Sequence, residues 1–487
     1  MIITFEYDES RDMGVIRSDF LENIRTHFSE FDPQAKIKKL KSNYRHIPSR
    51  RFCITKGGKF HLGMTTEIIK YVKSLGLQYR IFFTDEFKKA FMCSYPFFEK
   101  PLVDIVKPEN YQIRPYQEEG IEKALKTGNG VFLLKTAAGK SYIIAKLIAT
   151  INTYQKNTKA LIIVPTIQLV EQNYKDLINS GFSANFVSKW SGTNTLNPSA
   201  NIIIASSNIL LSKTQDLSIL SHVNLLIVDE VHMMKNENEI TKMLSFINTR
   251  HRYGFTGTLP ESKIDQWNII GRIGPIICEV SRDELVQNKW ISDAEIKIIQ
   301  LSYNTLPDYG KSSIEDPLVN YQIENKFTEN NVFRNEILNA ICKKLENNVL
   351  VVVEHIEHGE ILFQKFSENK NKQVFFIRGD VDVEDREKIK DIMEKFDNVV
   401  CVAISKIFST GINIKNLHYI LFASAGKAKV KIVQSIGRGL RLHENKNKLY
   451  IFDIADNLKY GQKHLGRRME IYEEEGFKTK TVQICEK

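Results

Sequence analysis

Short apolar runs that alternate with helical segments constrain the fold of this chain more than any other sequence feature. Five of these runs lie in the first half of the chain: GVFLLKT, ALIIVPT, NIIIASS, LLIVDE and RYGFTGT. Five more lie in the second half: NVLVVVEH, QVFFIRG, NVVCVAIS, LHYILFAS and LYIFDIAD. Nearly continuous β-branched runs separated by helices are typical of parallel sheets with both faces covered. The pattern predicts two consecutive parallel-sheet α/β domains.

The domain boundaries follow from where this pattern starts, pauses and resumes. We expect a small α+β domain over residues 1–100, a first α/β domain over 101–270, a connection over 271–330 and a second α/β domain over 331–487. A length of 487 residues suits about three domains of roughly 100–200 residues each. Between the first two domains, SYPFFEKPLVDIVKPENYQI has three prolines and no clear period, which is typical of a linker.

The first 100 residues mix strand and helix signals. The expected elements are a strand (Met1–Tyr7), a helix (Ser18–Phe31), a hairpin in RFCITKGGKFHLGM, a helix (Thr66–Leu75) and a strand (Tyr79–Thr84). In the hairpin, the pair Gly57-Gly58 would supply the turn, because a tight turn needs residues that tolerate positive φ. This order predicts a small α+β domain.

Positive charge is concentrated in that domain. The net charge of +10 favours a polyanionic partner, although many basic proteins bind no nucleic acid. No acidic residue lies between Asp32 and Glu67, and three aromatic residues are interleaved with the basic ones there. The residues that we call the basic segment are Lys36, Lys38, Lys39, Lys41, Arg45, Arg50, Arg51, Lys56 and Lys59. The segment is either a surface that contacts phosphates or a solvated positive loop and hairpin.

Residue usage argues against several classes of protein. The six cysteines lie far apart, without a CxxC pair or a Cys/His cluster, so neither a zinc site nor a disulfide framework is expected. The start, MIITFEYDESRDMGV, has acidic residues where a signal peptide needs a basic and then an apolar run. No apolar stretch approaches the ~20 residues of a membrane span. We expect a soluble cytoplasmic protein that does not interact with membranes.

A Gly-Lys-Ser sequence follows the first apolar run and opens the helical stretch SYIIAKLIATI. This context suits a phosphate-binding loop, because backbone N–H groups and the helix N-terminus can cradle phosphate oxygens. Lys140 would reach the β- and γ-phosphate oxygens of ATP, and Ser141 would ligate Mg²⁺. Leu134 stands where the usual first glycine would be. The candidate ATP-binding residues of this loop are Thr136, Ala137, Ala138, Gly139, Lys140 and Ser141.

Two adjacent carboxylates, Asp229 and Glu230, end the run LLIVDE. Open α/β sheets place their ligand chemistry at the carboxyl ends of strands. Two carboxylates there are costly unless they face a cation. Asp229 would therefore hold Mg²⁺ through water, and Glu230 would orient and deprotonate an attacking water. A strand that simply ends in charged surface residues is the alternative, and the Gly-Lys-Ser sequence upstream argues against it.

The order of these motifs resembles that of superfamily 2 helicases over roughly residues 110–460. The resemblance implies two tandem RecA-like P-loop NTPase lobes, each with a parallel sheet, preceded by a small α+β DNA-binding domain. It implies adenine recognition by Arg114 and Gln117. It further implies coupling of hydrolysis to strand movement by His232, Thr256 and Thr258. The first-lobe residues that would touch the nucleic-acid backbone are Pro165, Thr166, Ser206 and Ser207.

The second half carries two further motifs of this family. Thr410 and Gly411 lie in a sequence that resembles the motif sensing both strand and nucleotide, with Asn413 where many relatives have an aspartate. Gln434, Arg438 and Arg441 resemble the arginine-finger motif, which adds them to Lys140, Asp229 and Glu230 as candidate catalytic residues. Two guanidinium groups one helical turn apart could both neutralise charge on the γ-phosphate in the transition state.

Within the superfamily, the chain most resembles phage recombination helicases of the UvsW type. The resemblance rests on the N-terminal hairpin and helix, on VFFIRGDVDVEDREKI with Gly379, and on the tail HLGRRMEIYEEEGF. It implies ATP and Mg²⁺ as cofactors, branched or forked duplex DNA as substrate, and roles in recombination and repair. It also implies a monomer in the host cytoplasm, with single-strand-binding or recombination proteins as candidate partners. Gly379 would contact nucleic acid. For Arg468 and Tyr472, which share a helix face, fold packing and a strand contact remain equally open.

Three other functions compete with this one. An RNA helicase of the DEAD-box kind would carry Ala-Asp after the Asp-Glu pair, where this chain has Val231-His232. The motor subunit of a restriction system would need a nuclease motif, for which we expect no room. A passive nucleic-acid-binding protein would not need the full set of catalytic residues. We therefore expect a DNA-remodelling ATPase.

Overall fold

A computed structural model gives the fold of this chain. The residues that it describes are 1–32, 49–107, 111–192, 194–212, 217–234, 244, 247–309, 317–379, 381, 383–405, 414–424, 436–437, 439–440, 446 and 448–486. They divide into two units, one formed by 1–135 with 139–280 and the other by 136–138 with 281–487. Within the described residues, no helix is both long and apolar enough to cross a bilayer.

The N-terminal domain is a four-stranded sheet covered by helices. Its elements are β1 (Ile2–Asp8), β2 (Met13–Arg17), α1 (Leu21–His27), β3 (Ser29–Phe31), β4 (Arg50–Phe52), β5 (Lys59–Phe60), α2 (Thr65–Ser74), β6 (Arg80–Phe83) and α3 (Asp85–Phe91). The sheet has the order β5-β2-β1-β6, and only the pair β1–β6 is parallel. Phe5, Phe60 and Phe87 are fully buried and pack together in its core.

The predicted hairpin around Gly57-Gly58 is wrong in its pairing. β4 pairs with β3, and β5 pairs with β2, so these two strands do not pair with each other, although the Thr55 N–H donates to the Lys59 carbonyl across the turn (2.9 Å). The turn itself is present. Gly58 has a φ of +81°, and a Cβ there would lie 2.3 Å from the carbonyl oxygen of Ile16. The turn packs onto β2 through a hydrogen bond from the Ile16 N–H to the Gly58 carbonyl (2.9 Å), which draws the second flank to β2.

The N-terminal domain is bonded to the α/β part of its own unit. The Glu30 carboxylate accepts hydrogen bonds from the Ser262 hydroxyl (2.5 Å) and from the Ile264 N–H (3.3 Å). The Arg250 guanidinium donates to the Tyr7 hydroxyl (2.8 Å) and to the Asp12 carboxylate (2.9 Å). These bonds, together with apolar packing, make one compact unit of the two parts.

The first unit contains a seven-stranded, fully parallel sheet. Its elements are α4 (Pro115–Thr127), β7 (Gly130–Leu134), α5 (Lys140–Tyr154), β8 (Ala160–Val164), α6 (Ile167–Asn179), β9 (Val187–Trp190), β10 (Ile202–Ser206), α7 (Ser207–Leu210), β11 (Leu225–Asp229), β12 (Arg252–Thr256), α8 (Lys263–Ile273) and β13 (Ile276–Val280). The strand order is β13-β7-β12-β11-β8-β10-β9. The five apolar runs predicted as strands are confirmed. The two strands that we did not predict, β9 and β13, are the edges of the sheet, where a shorter or more polar run suffices.

The second unit repeats this architecture. Its elements are α9 (Arg282–Gln287), β14 (Asp293–Ser302), α10 (Pro317–Asn330), α11 (Val332–Lys344), β15 (Val349–Val353), α12 (Ile356–Ser367), β16 (Gln373–Ile377), α13 (Val383–Lys395), β17 (Val399–Ile404), β18 (Tyr419–Phe422), β19 (Lys448–Asp456), α14 (Lys459–Glu474) and β20 (Lys478–Cys485). All strand pairs are parallel, in the order β16-β17-β15-β18-β19-β14-β20. The predicted fold class, with two parallel-sheet α/β domains, is confirmed.

Residues 271–330 do not form the connection that we expected. β13 belongs to the first sheet, and β14 lies inside the second sheet between β19 and β20. The boundary between the two units falls at Val280 and Ser281. The sequence signal was weak because DAEIKIIQLS alternates polar and apolar residues, whereas the other inner strands of this sheet are nearly continuous apolar runs.

A buried ion pair fixes the last helix to the second sheet. The Arg468 guanidinium donates to both carboxylate oxygens of Asp453, at 2.8 and 2.9 Å, and the Tyr472 hydroxyl donates to the same carboxylate at 2.9 Å. Arg468 is 2% exposed and Asp453 is fully buried. Arg468 and Tyr472 share a helix face, as predicted, and they pack inside the fold, where a nucleic-acid strand has no access to them.

We predict that Arg468→Met destabilises the chain, because it leaves the Asp453 carboxylate buried without its partner. The expected loss is about 3–5 kcal/mol, measured as a lower urea-unfolding midpoint of the second unit. Arg467→Met is the matched control, since the neighbouring Arg467 pairs with Glu470 at the surface. Its expected effect is below about 1 kcal/mol. Equal midpoints for the two variants would contradict the role of the buried pair.

Candidate phosphate-binding site

The predicted phosphate loop joins β7 to α5. Thr136, Ala137 and Ala138 form the bend, and Gly139 is the N-cap residue of α5 with a φ of +84°. A Cβ on Gly139 would lie 2.4 Å from the Gln117 amide nitrogen, so this backbone and this close approach both require glycine. The sequence therefore folds here into a strand, a tight loop and a helix whose first N–H groups are available to an anion.

Lys140, the first residue of α5, is bonded to the carboxylates at the end of β11. Its ammonium lies 2.8 Å from a carboxylate oxygen of Glu230 and 3.3 Å from one of Asp229. Asp229 is the last residue of β11, and Glu230 follows with a φ of +51°, a conformation that non-glycine residues adopt at a cost. The structure thus brings together three predicted site residues, although Asp229 and Glu230 lie 89 and 90 positions after Lys140 along the chain.

Burial and charge compete at these three groups. Burial by itself lowers the pKa of Lys140, but the two carboxylates outweigh it and raise that pKa above its ordinary value. Burial raises the pKa of Asp229, and the like charge of Glu230 adds to the increase. Burial would also raise the pKa of Glu230, but Lys140 and His232 outweigh it, and the pKa falls to about 2. Glu230 is therefore the carboxylate that the lysine holds most firmly in its charged form.

A hydrogen-bond chain extends from Glu230 to the end of β12. His232 Nδ1 lies 3.3 Å from Glu230 and 2.9 Å from the Thr256 hydroxyl. The Thr256 hydroxyl donates its one hydrogen to the Thr258 carbonyl (2.8 Å), so it accepts from His232, whose Nδ1 must carry a proton. His232, Thr256 and Thr258 are all buried. The three residues predicted to couple hydrolysis to movement therefore form one chain with Glu230.

The two residues predicted to recognise adenine lie at the start of α4. Gln117 is fully buried, and its amide oxygen accepts from the Arg114 N–H (3.0 Å) while its amide nitrogen donates to the Tyr111 hydroxyl (3.0 Å). The Arg114 guanidinium donates to the Tyr116 hydroxyl (3.0 Å). Gln117 also borders Gly139, so it lies beside the phosphate loop. Contact of either residue with a base stays a prediction.

Ser141 has a partner that sequence reasoning missed. Its hydroxyl donates to the carboxylate of Asp176 on α6, at 2.6 Å. Asp176 belongs to no motif, and it lies 35 positions from Ser141 along the chain. Only the packing of α5 against α6 brings the two side chains together.

The oxygens near the loop suit the Mg²⁺ that the sequence motifs imply. Asp229 supplies a carboxylate and Ser141 a hydroxyl, and Mg²⁺ prefers oxygen ligands. Among the residues with described positions, no group of three or more His, Cys, Asp or Glu side chains could hold a metal ion. Mg²⁺ that binds with nucleotide phosphates needs only one or two protein carboxylates, so the donor set fits.

The predicted first-lobe contacts to nucleic acid meet at one edge of the sheet. Pro165 and Thr166 follow β8, Ser206 ends the neighbouring strand β10, and the Ser207 hydroxyl lies 3.5 Å from the Pro165 carbonyl. Ser206 and Ser207 are 1% and 5% exposed, so their hydroxyls cannot touch a strand in this conformation. Contact of these four residues with nucleic acid stays a prediction.

The basic segment is only partly within the described residues. Lys59 is paired with Asp8 at 2.5 Å, which makes it a support of the turn and lowers the pKa of Asp8 to about 2. Arg51 lies 3.9 Å from Glu30, and Arg50 donates to the Ser29 hydroxyl (2.9 Å). Lys56 is exposed. The residues of this segment that lie outside the described part are Lys36, Lys38, Lys39, Lys41 and Arg45.

In the second unit, Gly379 lies in an exposed turn and its carbonyl accepts a hydrogen bond from Arg386 (3.1 Å). The other predicted second-unit site residues fall outside the described part of the chain: Thr410, Gly411, Gln434, Arg438 and Arg441. The neighbours Ile436 and Leu440 of the arginine-finger motif are described and are buried. The roles of the five residues stay predictions.

We predict that Glu230→Gln changes how the stability of the fold depends on pH. The pKa of Glu230 is about 2 in the fold against 4.5 for the free side chain. Its stabilising contribution is therefore present above about pH 4.5 and is lost as the pH falls toward 2. Unfolding midpoints in urea should be lower for Glu230→Gln at pH 7, and the difference should shrink below pH 4.5. Glu279→Gln, at an exposed position of the same unit, is the control. A difference that does not depend on pH would contradict the Lys140–Glu230 pair.

Comparison with known proteins agrees with this geometry. Residues 110–261 match the family model described as Type III restriction enzyme, res subunit, and residues 332–443 match the Helicase conserved C-terminal domain. The chain is 27% identical over 403 residues to the ATP-dependent DNA helicase uvsW of Enterobacteria phage T4, and the aligned region covers 77% of this chain and 78% of that protein. It is 28% identical over 197 residues to the DNA 3'-5' translocase XPB2 of Sulfurisphaera tokodaii, which covers 40% of this chain and 41% of that protein.

A solved structure shares the fold. The ATP-dependent Type ISP restriction-modification enzyme LlaBIII bound to DNA aligns with a TM-score of 0.57 at 14% identity, over 88% of this chain and 36% of that one. The two family models fall on the two α/β units in the order that the motifs require. With the phosphate loop, the Asp-Glu pair and the coupling chain in place, the chain belongs to the superfamily 2 helicases.

Proposed function

We propose that this chain is an ATP-dependent DNA helicase or translocase that remodels branched duplex DNA, as in branch migration or fork regression. The observation that supports the motor most directly is the position of Lys140, which joins the phosphate loop to Asp229 and Glu230. A lysine at the start of a helix, beside two carboxylates at a strand end, is an arrangement that suits the binding of a nucleoside triphosphate.

ATP binding would change the partner of Lys140. The β- and γ-phosphate oxygens compete with Glu230 for the ammonium, and Asp229 and Ser141 face the Mg²⁺ that accompanies the nucleotide. Mg²⁺ supplies positive charge that neutralises the phosphate oxygens. Once Lys140 leaves Glu230, the largest effect that opposes burial is lost and the pKa of that carboxylate rises. Glu230 then becomes a stronger base for the attacking water, so substrate binding itself activates the catalytic carboxylate.

The change at Glu230 would be transmitted to β12. His232 contacts both Glu230 and Thr256, so a movement of the carboxylate alters the bonds at the Thr256–Thr258 turn. From their sequence motif we assign to Arg438 and Arg441 the neutralisation of charge on the γ-phosphate.

DNA is favoured as substrate over RNA. The chain is similar to a phage ATP-dependent DNA helicase over most of its length and to a DNA translocase over part of it. The Val231-His232 pair differs from the Ala-Asp of DEAD-box RNA helicases. A restriction-system motor is the second candidate, since the first family model carries that description. The branched form of the DNA is what the sequence resemblance to phage recombination helicases implies, and the basic N-terminal domain suits a duplex partner.

We predict that ATP hydrolysis is stimulated most by branched or forked duplex DNA, less by linear duplex and single strands, and least by RNA. A coupled ATPase assay over these four nucleic acids measures the order. Lys140→Ala should reduce turnover at least a hundredfold, because it removes the charge that binds the phosphates, while DNA binding in a gel-shift assay persists. Equal stimulation by linear and branched duplex would reject branched-DNA remodelling, and stimulation by RNA alone would favour the RNA helicase.

We predict that the basic segment contacts DNA phosphates. Reversing Lys36, Lys38 and Lys39 to glutamate should weaken duplex binding. It should also reduce the slope of log K against log salt by about 0.9 for each lost contact. Lys73→Glu, on the exposed face of α2 in the same domain, is the control. An unchanged slope in the triple variant would make the segment a solvated loop.

A further inference from the structure

A third carboxylate, that of Asp176 on α6, lies against the phosphate loop, although Asp176 belongs to no sequence motif. Asp176 is near the end of α6, and its carboxylate accepts the Ser141 hydroxyl hydrogen at 2.6 Å. Ser141 is the second residue of α5, directly after Lys140. Asp229 and Glu230 are bonded to Lys140 at the same time, so the loop meets carboxylates from two different elements, β11 and α6.

The chemistry of a hydroxyl gives this contact a direction. A serine hydroxyl has one hydrogen and two acceptor lone pairs. When a carboxylate takes the hydrogen, the rotation of the hydroxyl is fixed, and its lone pairs point away from that carboxylate. A charge-assisted hydrogen bond of this kind also makes the oxygen a better donor of electron density to a cation.

We propose that Asp176 is a positioning residue of the magnesium site. It holds the Ser141 hydroxyl hydrogen so that the oxygen faces the Mg²⁺ of a bound nucleotide. The proposal rests on the nucleotide site proposed above and adds a residue to it. Asp176 would act through Ser141 and touch neither the nucleotide nor the metal.

The same helix carries a second carboxylate, that of Glu171, in an ion pair away from the phosphate loop. Glu171 pairs with Lys189 at 2.8 Å and accepts from the Asn194 amide at 3.2 Å, on the side of α6 that faces β9. Glu171 has no contact with the phosphate loop among the bonds of the described residues. It is therefore a matched control, since its loss tests the effect of removing any carboxylate from α6.

The test measures nucleotide binding at different Mg²⁺ concentrations, independently of turnover. A fluorescent ADP is titrated in EDTA and in a series of Mg²⁺ concentrations with the full-length chain and its variants. Asp176→Ala should raise the half-saturating Mg²⁺ concentration by about 10–100-fold, the usual effect of removing a group that orients a metal ligand. Binding in EDTA should stay within about twofold of the unaltered chain. Asp176→Asn should be intermediate, because its amide oxygen can accept the hydrogen without the charge, and Glu171→Ala should behave as the unaltered chain.

A double-mutant cycle separates positioning from a general effect. Ser141→Ala should raise the Mg²⁺ requirement by a similar factor, and Asp176→Ala should add nothing in that background. A further increase in the double variant would overturn the proposal, as would an equal loss of binding with and without Mg²⁺. An unchanged Mg²⁺ requirement in both Asp176 variants would overturn it too. If Asp176→Ala melts at a much lower temperature, Asp176→Asn carries the comparison.

Lys140→Ala distinguishes failure of this proposal from failure of the proposed function. Loss of nucleotide binding in Lys140→Ala, combined with a normal Mg²⁺ requirement in Asp176→Ala, would reject only the role of Asp176. Undiminished nucleotide binding in Lys140→Ala would reject the nucleotide site itself, and the proposed motor with it.

Discussion

The structure of the site depends on one interaction, the ion pair between Lys140 and the two carboxylates at the end of β11. A buried ammonium alone, or two buried carboxylates alone, would be strongly disfavoured. Together they stabilise one another, although one positive charge faces two acidic groups, and burial together with the charge of Glu230 raises the pKa of Asp229. In the proposed function, a nucleotide would attract the lysine to its phosphates and its cation would face the carboxylates. The ion pair therefore stabilises the fold and would also be the contact that substrate exchanges.

The residues beside the pair are buried and bonded to one another. Glu230 has a strained backbone, and His232 is held between Glu230 and Thr256. A loose surrounding would absorb a change at Glu230 locally. In a bonded chain such a change would be passed to Thr256 and Thr258, where β12 ends. The contacts that pack this region are thus the contacts that would serve its chemistry. The strained backbone lies at Glu230, the residue that would act on water.

The sequence predicted the parts of this protein that local patterns determine. Apolar runs located ten strands, and contiguous motifs located Lys140, Asp229 and Glu230 before any geometry was known. Contacts between distant segments that carry no motif were missed or wrong. The flanks of Gly57-Gly58 each found a different partner strand, because pairing depends on which strands are near in space and a turn signal does not encode that. Asp176 had no signal, since its contact with Ser141 arises from helix packing alone. The burial of Ser206 and Ser207 had no sequence signal either.

The position of the N-terminal domain has a mechanical consequence. Its core extends to α8 through Trp267, whose ring centroid lies 5.2 Å from that of Phe28. Glu30 is hydrogen-bonded to the start of the same helix. α8 begins a few residues after Thr258, the end of the coupling chain. A domain on a flexible tether would lose the force of each ATP cycle in its linker. Because this domain is bonded into the first unit, Arg50 and Arg51 of β4 belong to the same compact unit as Lys140. A DNA contact at this part of the basic segment, which stays a proposal, would act on that unit without a flexible joint.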